Sequence, residues 1–269
     1  MSQSQQANKI SLLIIDPQND FVDPNGALSV LGAAQDAERL AHLIQRLSAK
    51  ISSISVSLDS HQRYDISHPL WFYDHNGEPP APFTVITADD LSQGKWFTQE
   101  AVAEHTLSYL RTLESQGRYP HVIWPEHCLI GSEGHAIYPV IQEALHEWSA
   151  RPCRLDYIYK GQNPLTEHFS AVAAEVPVAH DPQTQVNHDL IRELKQSDQI
   201  WVAGWARSHC VGNTLRDLFK WGGQEFAQKT LIITDTMSDV SGFEAQGEAV
   251  VRESLDLGAR LTEVHQLIH

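Results

Sequence analysis

Cysteine is scarce in this chain: Cys128, Cys153 and Cys210 are the three among 269 residues. An odd, thinly spread set of thiols is no disulfide framework, so a stapled extracellular scaffold is excluded and a reducing, cytoplasmic setting is expected. Positive charge is short too, with 19 Lys and Arg against 34 Asp and Glu, a formal charge of −15. No basic run interleaved with aromatics interrupts that excess, which argues against nucleic acid as a partner. No stretch reaches the roughly 18 apolar residues a membrane span needs. The amino-terminal Met1 to Lys9 is polar and rich in Gln and Ser, without the apolar core of an export signal.

What is present suffices for one sizeable core. With 42% hydrophobic residues, a chain of this length buries roughly three quarters of its unfolded surface, so residues 1–269 are expected to form a single domain. Short β-rich runs alternate with helical patterns. The strands are expected at Ile10 to Ile15, Ile51 to Ser57, His121 to Trp124, Arg154 to Tyr159, Gln199 to Ala203 and Thr230 to Thr234. The helices are expected at Asp36 to Leu47, Gln99 to Glu114, Ile137 to Trp148, Asn187 to Lys195, Ser208 to Trp221 and Phe243 to Leu257. This alternation predicts an α/β fold, a three-layer α/β/α sandwich around a mostly parallel sheet.

In open α/β sheets, ligands lie beyond the carboxyl ends of the strands. The residues just after the expected strands are Asp16, Asp59 with His61, His127 with Cys128, Lys160, Cys210 and Asp235. They include a nucleophile, a base, a cation and three metal-ligating side chains. Cys210 falls where the apolar run ending at Gly204 gives way to a helical pattern. The free backbone N–H groups of a first helical turn stabilise a thiolate and an oxyanion alike. Asp59, His61 and His127 offer one carboxylate and two imidazoles, a set that suits zinc, iron or manganese with positions left open. Asp65 and His68 lie close enough in sequence to complete the set.

Five motifs occur in order, each after an expected strand: Asp16-Pro-Gln-Asn-Asp-Phe21, Leu58-Asp-Ser-His61, Trp124-Pro-Glu-His-Cys128 followed by Gly131 and Gly134, Lys160-Gly161, and Gly204-x-Ala206-x-x-x-Cys210-Val211. In order and spacing the chain resembles the nicotinamidase branch of the isochorismatase-like cysteine hydrolases over most of its length. The resemblance implies that Cys210 is the nucleophile, Asp16 the proton carrier and Lys160 the cation closing the triad, with Cys210 a low-pKa thiol that alkylates first. It implies a cis peptide at Ala206–Arg207, an oxyanion hole from the Arg207 and Cys210 N–H groups, and Phe21 in the substrate pocket. The metal would hold a pyridine nitrogen, and the reaction would convert nicotinamide to nicotinate and ammonia.

The chain departs from that pattern in two places. Ser208 stands where this branch commonly has Asp, although Ser remains a good helix N-cap. Residues 69–119 form an insertion rich in aromatics, expected to serve as a lid, a pocket wall or a contact in a homo-oligomer. A related hydrolase for another small amide, carbamoyl- or maleamate-like, or for a larger substrate is the alternative reading. A catalytically silent binding protein on the same fold is the alternative of another class.

Overall fold

Strand β1 (Ile10–Ile15) is buried at every position, as a strand must be when both faces of its sheet are covered. The structure is a computed structural model and describes residues 8–269; most of the polar stretch Met1 to Lys9 lies outside the described residues. Strands β2 (Ile51–Asp59), β3 (Arg154–Lys160), β4 (Gln199–Gly204), β5 (Thr230–Ile233) and β6 (Arg260–Thr262) complete one sheet. Its order is β3-β2-β1-β4-β5-β6, and every neighbouring pair is parallel.

The period-2 alternation of β1 divides the core between two layers. Ile10, Leu12 and Ile14 face a cluster built with α1 (Asn19–Val22), α2 (Ala33–Arg46), α5 (Pro139–Ser149) and α10 (Val264–Ile268). Leu13 and Ile15 face the opposite cluster, with α6 (His188–Lys195), α7 (Gly212–Gly222), α8 (Gln224–Lys229) and α9 (Glu244–Asp256). The expected three-layer α/β/α sandwich is therefore the observed one. Its strand order reverses between β1 and β4, and the crevice beyond their carboxyl ends is where such sheets bind ligands.

Two strand expectations need correction. His121 to Trp124 is not a strand of the sheet. The place beside β2 is taken by β3, and this segment turns instead to the insertion, where Ile86 N–H donates to the His121 carbonyl at 3.0 Å and Ile123 N–H to Thr84 at 2.9 Å. Strand β6 was not expected: it is three residues long and Leu261 is exposed at the sheet edge, so its pattern carries no buried run to read. The helical expectations hold to within a few residues, except that the one from Ser208 divides into a wider turn and α7.

The insertion contains α3 (Ala88–Ser92) and α4 (Glu100–Gln116). Trp71, Phe72, Ile86, Tyr109, Leu110 and Leu113 pack there with Ile66 and Ile123 in a small core of their own. The Trp71 indole N–H donates to Thr106 Oγ1 at 3.0 Å, fixing α4 over the segment that precedes it.

Candidate active site

The site begins where β1 and β4 end side by side. Gly204 has φ +116°, and a Cβ there would collide with the Ile15 backbone. Only glycine lets the two strand ends approach this closely, and that approach brings the turns bearing Asp16 and Cys210 together. Asp16 itself sits at φ +45°. Its backbone N–H donates to the Ser57 carbonyl and its Oδ1 accepts from Ser57 Oγ at 2.6 Å.

Asp16, Lys160 and Cys210, far apart in sequence, converge. Lys160 Nζ lies 2.9 Å from Asp16 Oδ2, 3.0 Å from Asp59 Oδ1 and 3.7 Å from Cys210 Sγ. Lys160 is 1% exposed and Asp16 fully buried. Burial works against charge on Lys160, but the Asp16 and Asp59 carboxylates outweigh it and hold the ammonium well above its ordinary range. Burial likewise pushes Asp16 up against the pull of Lys160. The low-pKa expectation for Cys210 is overturned. Burial pushes its thiol well above the usual range, and Asp16 and Asp59 add to this while Lys160 alone opposes them. One cation facing two carboxylates in a buried site favours the protonated thiol over a standing thiolate.

The backbone around the nucleophile also differs from expectation. The cis peptide is Trp205–Ala206, one residue earlier than expected. The Arg207 N–H donates to the Ser238 carbonyl at 2.8 Å, and its guanidinium pairs with Asp239, so Arg207 is not an oxyanion donor. The Ala206 N–H has no acceptor among the described residues. Arg207–Val211 form a widened helical turn in which the Ala206 carbonyl accepts from both His209 and Val211. Ser208 does not cap this turn; its hydroxyl contacts Val240 N–H at 3.1 Å and His209 Nδ1 at 2.9 Å.

Beside the triad lies a nest of imidazoles. Asp59 Oδ2 is 3.1 Å from His61 Nε2 and 3.3 Å from His127 Nε2, and His68 Nε2 is 3.3 Å from His127 Nδ1. His61, His68 and His127 are all buried, with ligand atoms within 4.8 Å of one another. His68 therefore joins the expected Asp59, His61 and His127. Asp65 stands behind, its Oδ2 3.1 Å from His61 Nδ1, where it fixes the ring's orientation. Burial, with His61 and His127 nearby, pushes His68 down to about 2, leaving a neutral imidazole ready to ligate. Burial also opposes charge on His61, yet Asp59 and Asp65 raise it well above its ordinary range. A buried cluster that draws a proton so strongly, with carboxylates outnumbering cations, fits a divalent cation. Gly161, at φ +79°, packs tightly against the cluster, since a Cβ there would come within 3.0 Å of Asp59 Oδ1.

Two residues of the first motif hold the site together in ways sequence reading did not anticipate. Gln18 accepts from Asp59 N–H at 2.7 Å and donates to the Asp59 carbonyl at 2.7 Å. Asp20 Oδ2 accepts from Cys128 N–H at 2.6 Å, and a Cβ on Gly134 would strike this carboxylate. Their partners lie 41 and 108 residues away, so the only available signal was membership in the motif.

A narrow pocket joins the two halves, lined by Phe21, Trp124, His127, Glu167, Phe169, Cys210 and their neighbours. Phe21 lies in this lining, its ring edge-on to His127 at 5.4 Å. No lining residue comes from the insertion; Tyr119, at its end, stacks behind His209. The larger clefts at the β3 edge and beside α1 lack Cys210. Asp235 also stays apart, capping α10 through Val264 N–H.

No protein-family model matches the chain. It is 26% identical over 225 residues to the nicotinamidase of Escherichia coli K12, covering 84% of this chain and 81% of that one. A nicotinamidase pyrazinamidase of Acinetobacter baumanii superimposes with a TM-score of 0.66 at 21% identity, over 98% of this chain and 100% of that one. A pyrazinamidase of Pyrococcus horikoshii, solved in complex with zinc, gives 0.57 at 17% identity over 95% and 99%. With its motifs in order and its sheet in this topology, the chain is similar over most of its length to nicotinamidases and shares their fold.

Proposed function

We propose that this protein is an amidohydrolase that converts nicotinamide to nicotinate and ammonia through a cysteine thioester. The observation that carries this reading is Cys210 within reach of a buried Lys160 and Asp16, beside an Asp and three histidines, in one aromatic pocket. Asp16 takes the thiol proton as Cys210 Sγ adds to the carboxamide carbon. The Ala206 and Cys210 N–H groups hold the oxyanion, and Asp16 returns the proton to the nitrogen, which leaves as ammonia. Asp16 then takes a proton from water as that water adds to the thioester, and the acid leaves as the Cys210 thiol is restored. Lys160 keeps the charge balance of Asp16 through both halves.

Asp59, His61, His68 and His127 would hold the metal, which supplies a Lewis-acid contact for the ring nitrogen. Zinc suits this nitrogen and oxygen set, and the Pyrococcus relative is a zinc complex. The flat aromatic walls favour a planar ring over a bulky substrate. A maleamate-like acid would need a free cation, and Lys160 is already paired with two carboxylates. The insertion, absent from the pocket lining, serves as a buttress behind His209. Three unpaired thiols suit the cytoplasm, and among the described residues no helix is long and apolar enough to cross a membrane.

The test is ammonia release from nicotinamide, pyrazinamide and benzamide by metal-loaded protein. The first two place a ring nitrogen meta to the carboxamide and should turn over, whereas benzamide, lacking that second anchoring point, should fall by a hundredfold or more, on the order of a lost positioning contact. Equal rates for nicotinamide and benzamide would refute the metal contact. No release from any pyridine carboxamide would refute the substrate.

A further inference from the structure

His209 stands next to the nucleophile, is 3% exposed and lines the pocket, yet no step above uses it. Its ring is enclosed by Tyr119, Trp124, Phe169 and Phe243, with centroids 4.7 to 5.4 Å away. Burial pushes it down to about 3, so the imidazole is neutral. A neutral imidazole has one N–H and one bare nitrogen, and which is which depends on its partners.

Ser208 decides it. The Ser208 hydroxyl oxygen already accepts from Val240 N–H at 3.1 Å, and its side chain is fully buried. A buried hydroxyl hydrogen needs an acceptor, and the one within reach is His209 Nδ1 at 2.9 Å. Nδ1 is therefore the bare nitrogen and Nε2 carries the hydrogen. That Nε2 is buried and has no hydrogen-bond partner among the described residues. A donor left unpaired in an apolar cage is costly, and on this ring it lies at the edge opposite Ser208.

We infer that His209 is a specificity-determining residue whose Nε2–H donates to an acceptor on the substrate ring, with Ser208 the positioning residue that fixes its tautomer. The inference rests on the amidase reading above and sharpens its substrate class. Beyond the nitrogen meta to the carboxamide that nicotinamide carries, a six-membered heteroaromatic carboxamide with a second ring acceptor facing His209 gains one further hydrogen bond in this site. An Asp at position 208 accepts but does not donate, so it would place the hydrogen on Nδ1 and turn a bare Nε2 to the pocket. The serine thus reverses the polarity of this wall.

The test moves a second nitrogen around the ring while keeping the first. Pyridazine-3-carboxamide, pyrazinamide, pyrimidine-5-carboxamide and pyridazine-4-carboxamide place it in turn at each remaining ring position. The readout is kcat/KM for each relative to nicotinamide, compared between metal-loaded wild-type protein and His209→Phe, so that the intrinsic reactivity of each ring cancels. One position should lose about threefold to tenfold of its relative rate in His209→Phe, the range of one net hydrogen bond. His209→Gln, which keeps a donor at the same reach, should restore it, and Ser208→Asp should abolish it. If His209→Phe fails to fold, the Gln and Asp variants make the same comparison. Relative rates unchanged at every position, or a uniform fall for all substrates including nicotinamide, would overturn the role of His209 while leaving the amidase reading intact. No turnover of any of these amides by wild-type protein would overturn both.

Discussion

The Lys160 ammonium is 3.0 Å from Asp59 Oδ1, so the cation beside the nucleophile also neutralises the carboxylate of the imidazole cluster. Replacing it with the similarly shaped, neutral Met leaves Asp16 and Asp59 buried without their shared partner. Lys160→Met should lose turnover a hundredfold or more while retaining bound metal, since the ligands remain and a competing positive charge is gone. Breaking a buried ion pair by deleting one partner costs about 3 to 5 kcal/mol, and denaturant unfolding of the metal-free variant should read a loss of that order. Parallel loss of metal and activity would mean that Lys160 acts by holding the cluster.

The three thiols should separate cleanly. Cys210→Ala should abolish turnover with fold and metal content intact, while Cys128→Ala and Cys153→Ala keep most of it. Burial pushes both Cys128 and Cys210 well above the ordinary thiol range, and Cys153 is the most accessible of the three. Iodoacetamide followed by mass mapping should therefore mark Cys153 first, with Cys210 slower and protected by substrate. Residual activity above a few per cent in Cys210→Ala would end the covalent mechanism.

The ligand set predicts a graded series. His61→Ala, His68→Ala and His127→Ala should each remove most bound metal, whereas Asp65→Asn should weaken binding by about ten- to a hundredfold, because Asp65 only orients His61. Elemental analysis and competition with a chelator measure both. A His68→Ala variant with wild-type metal content would restrict the set to Asp59, His61 and His127.

Glu175, buried between α4 and α7, accepts from Asn213 at 2.8 Å. Burial, reinforced by Asp217 and Glu167, pushes it up to about 8 from an ordinary 4.5. Between those two values the folded chain holds a proton that the unfolded chain releases. Its contribution to stability therefore declines as pH rises through that window, by at most about 1.4 kcal/mol per pH unit, and levels off above it. Glu175→Gln should remove that slope, so unfolding free energies measured from pH 5 to 8 should fall less steeply in the variant than in the wild type. Identical slopes would place the Glu175 pKa near its unfolded value.

Much of this protein was legible in its sequence because the physics is local. A run such as Ile10 to Ile15, apolar at every position but Ser11, reads as a doubly covered strand, and strand ends at Asp16, Asp59, Lys160 and Gly204 order the chemistry-bearing residues along one edge of a sheet. The residue types of the triad and of Asp59, His61 and His127 could be named on the same basis. Tertiary structure alone decided what depends on distant partners. His121 to Trp124 has the composition of a strand but lost its place in the sheet to β3. Arg207 looked like an oxyanion donor until the Ser238 carbonyl, on another loop, claimed its N–H. His68 joined the imidazole cluster, and Gln18 and Asp20 became clamps, only once the fold brought Asp59, His127 and Cys128 against them. The proton affinity of Cys210 depends on the fold likewise. Sequence supplies a lysine and a cysteine 50 residues apart, but only the fold brings them together with Asp16 and Asp59 in a buried site that favours the protonated thiol, because electrostatic energies in a dry site depend on distances no local pattern contains.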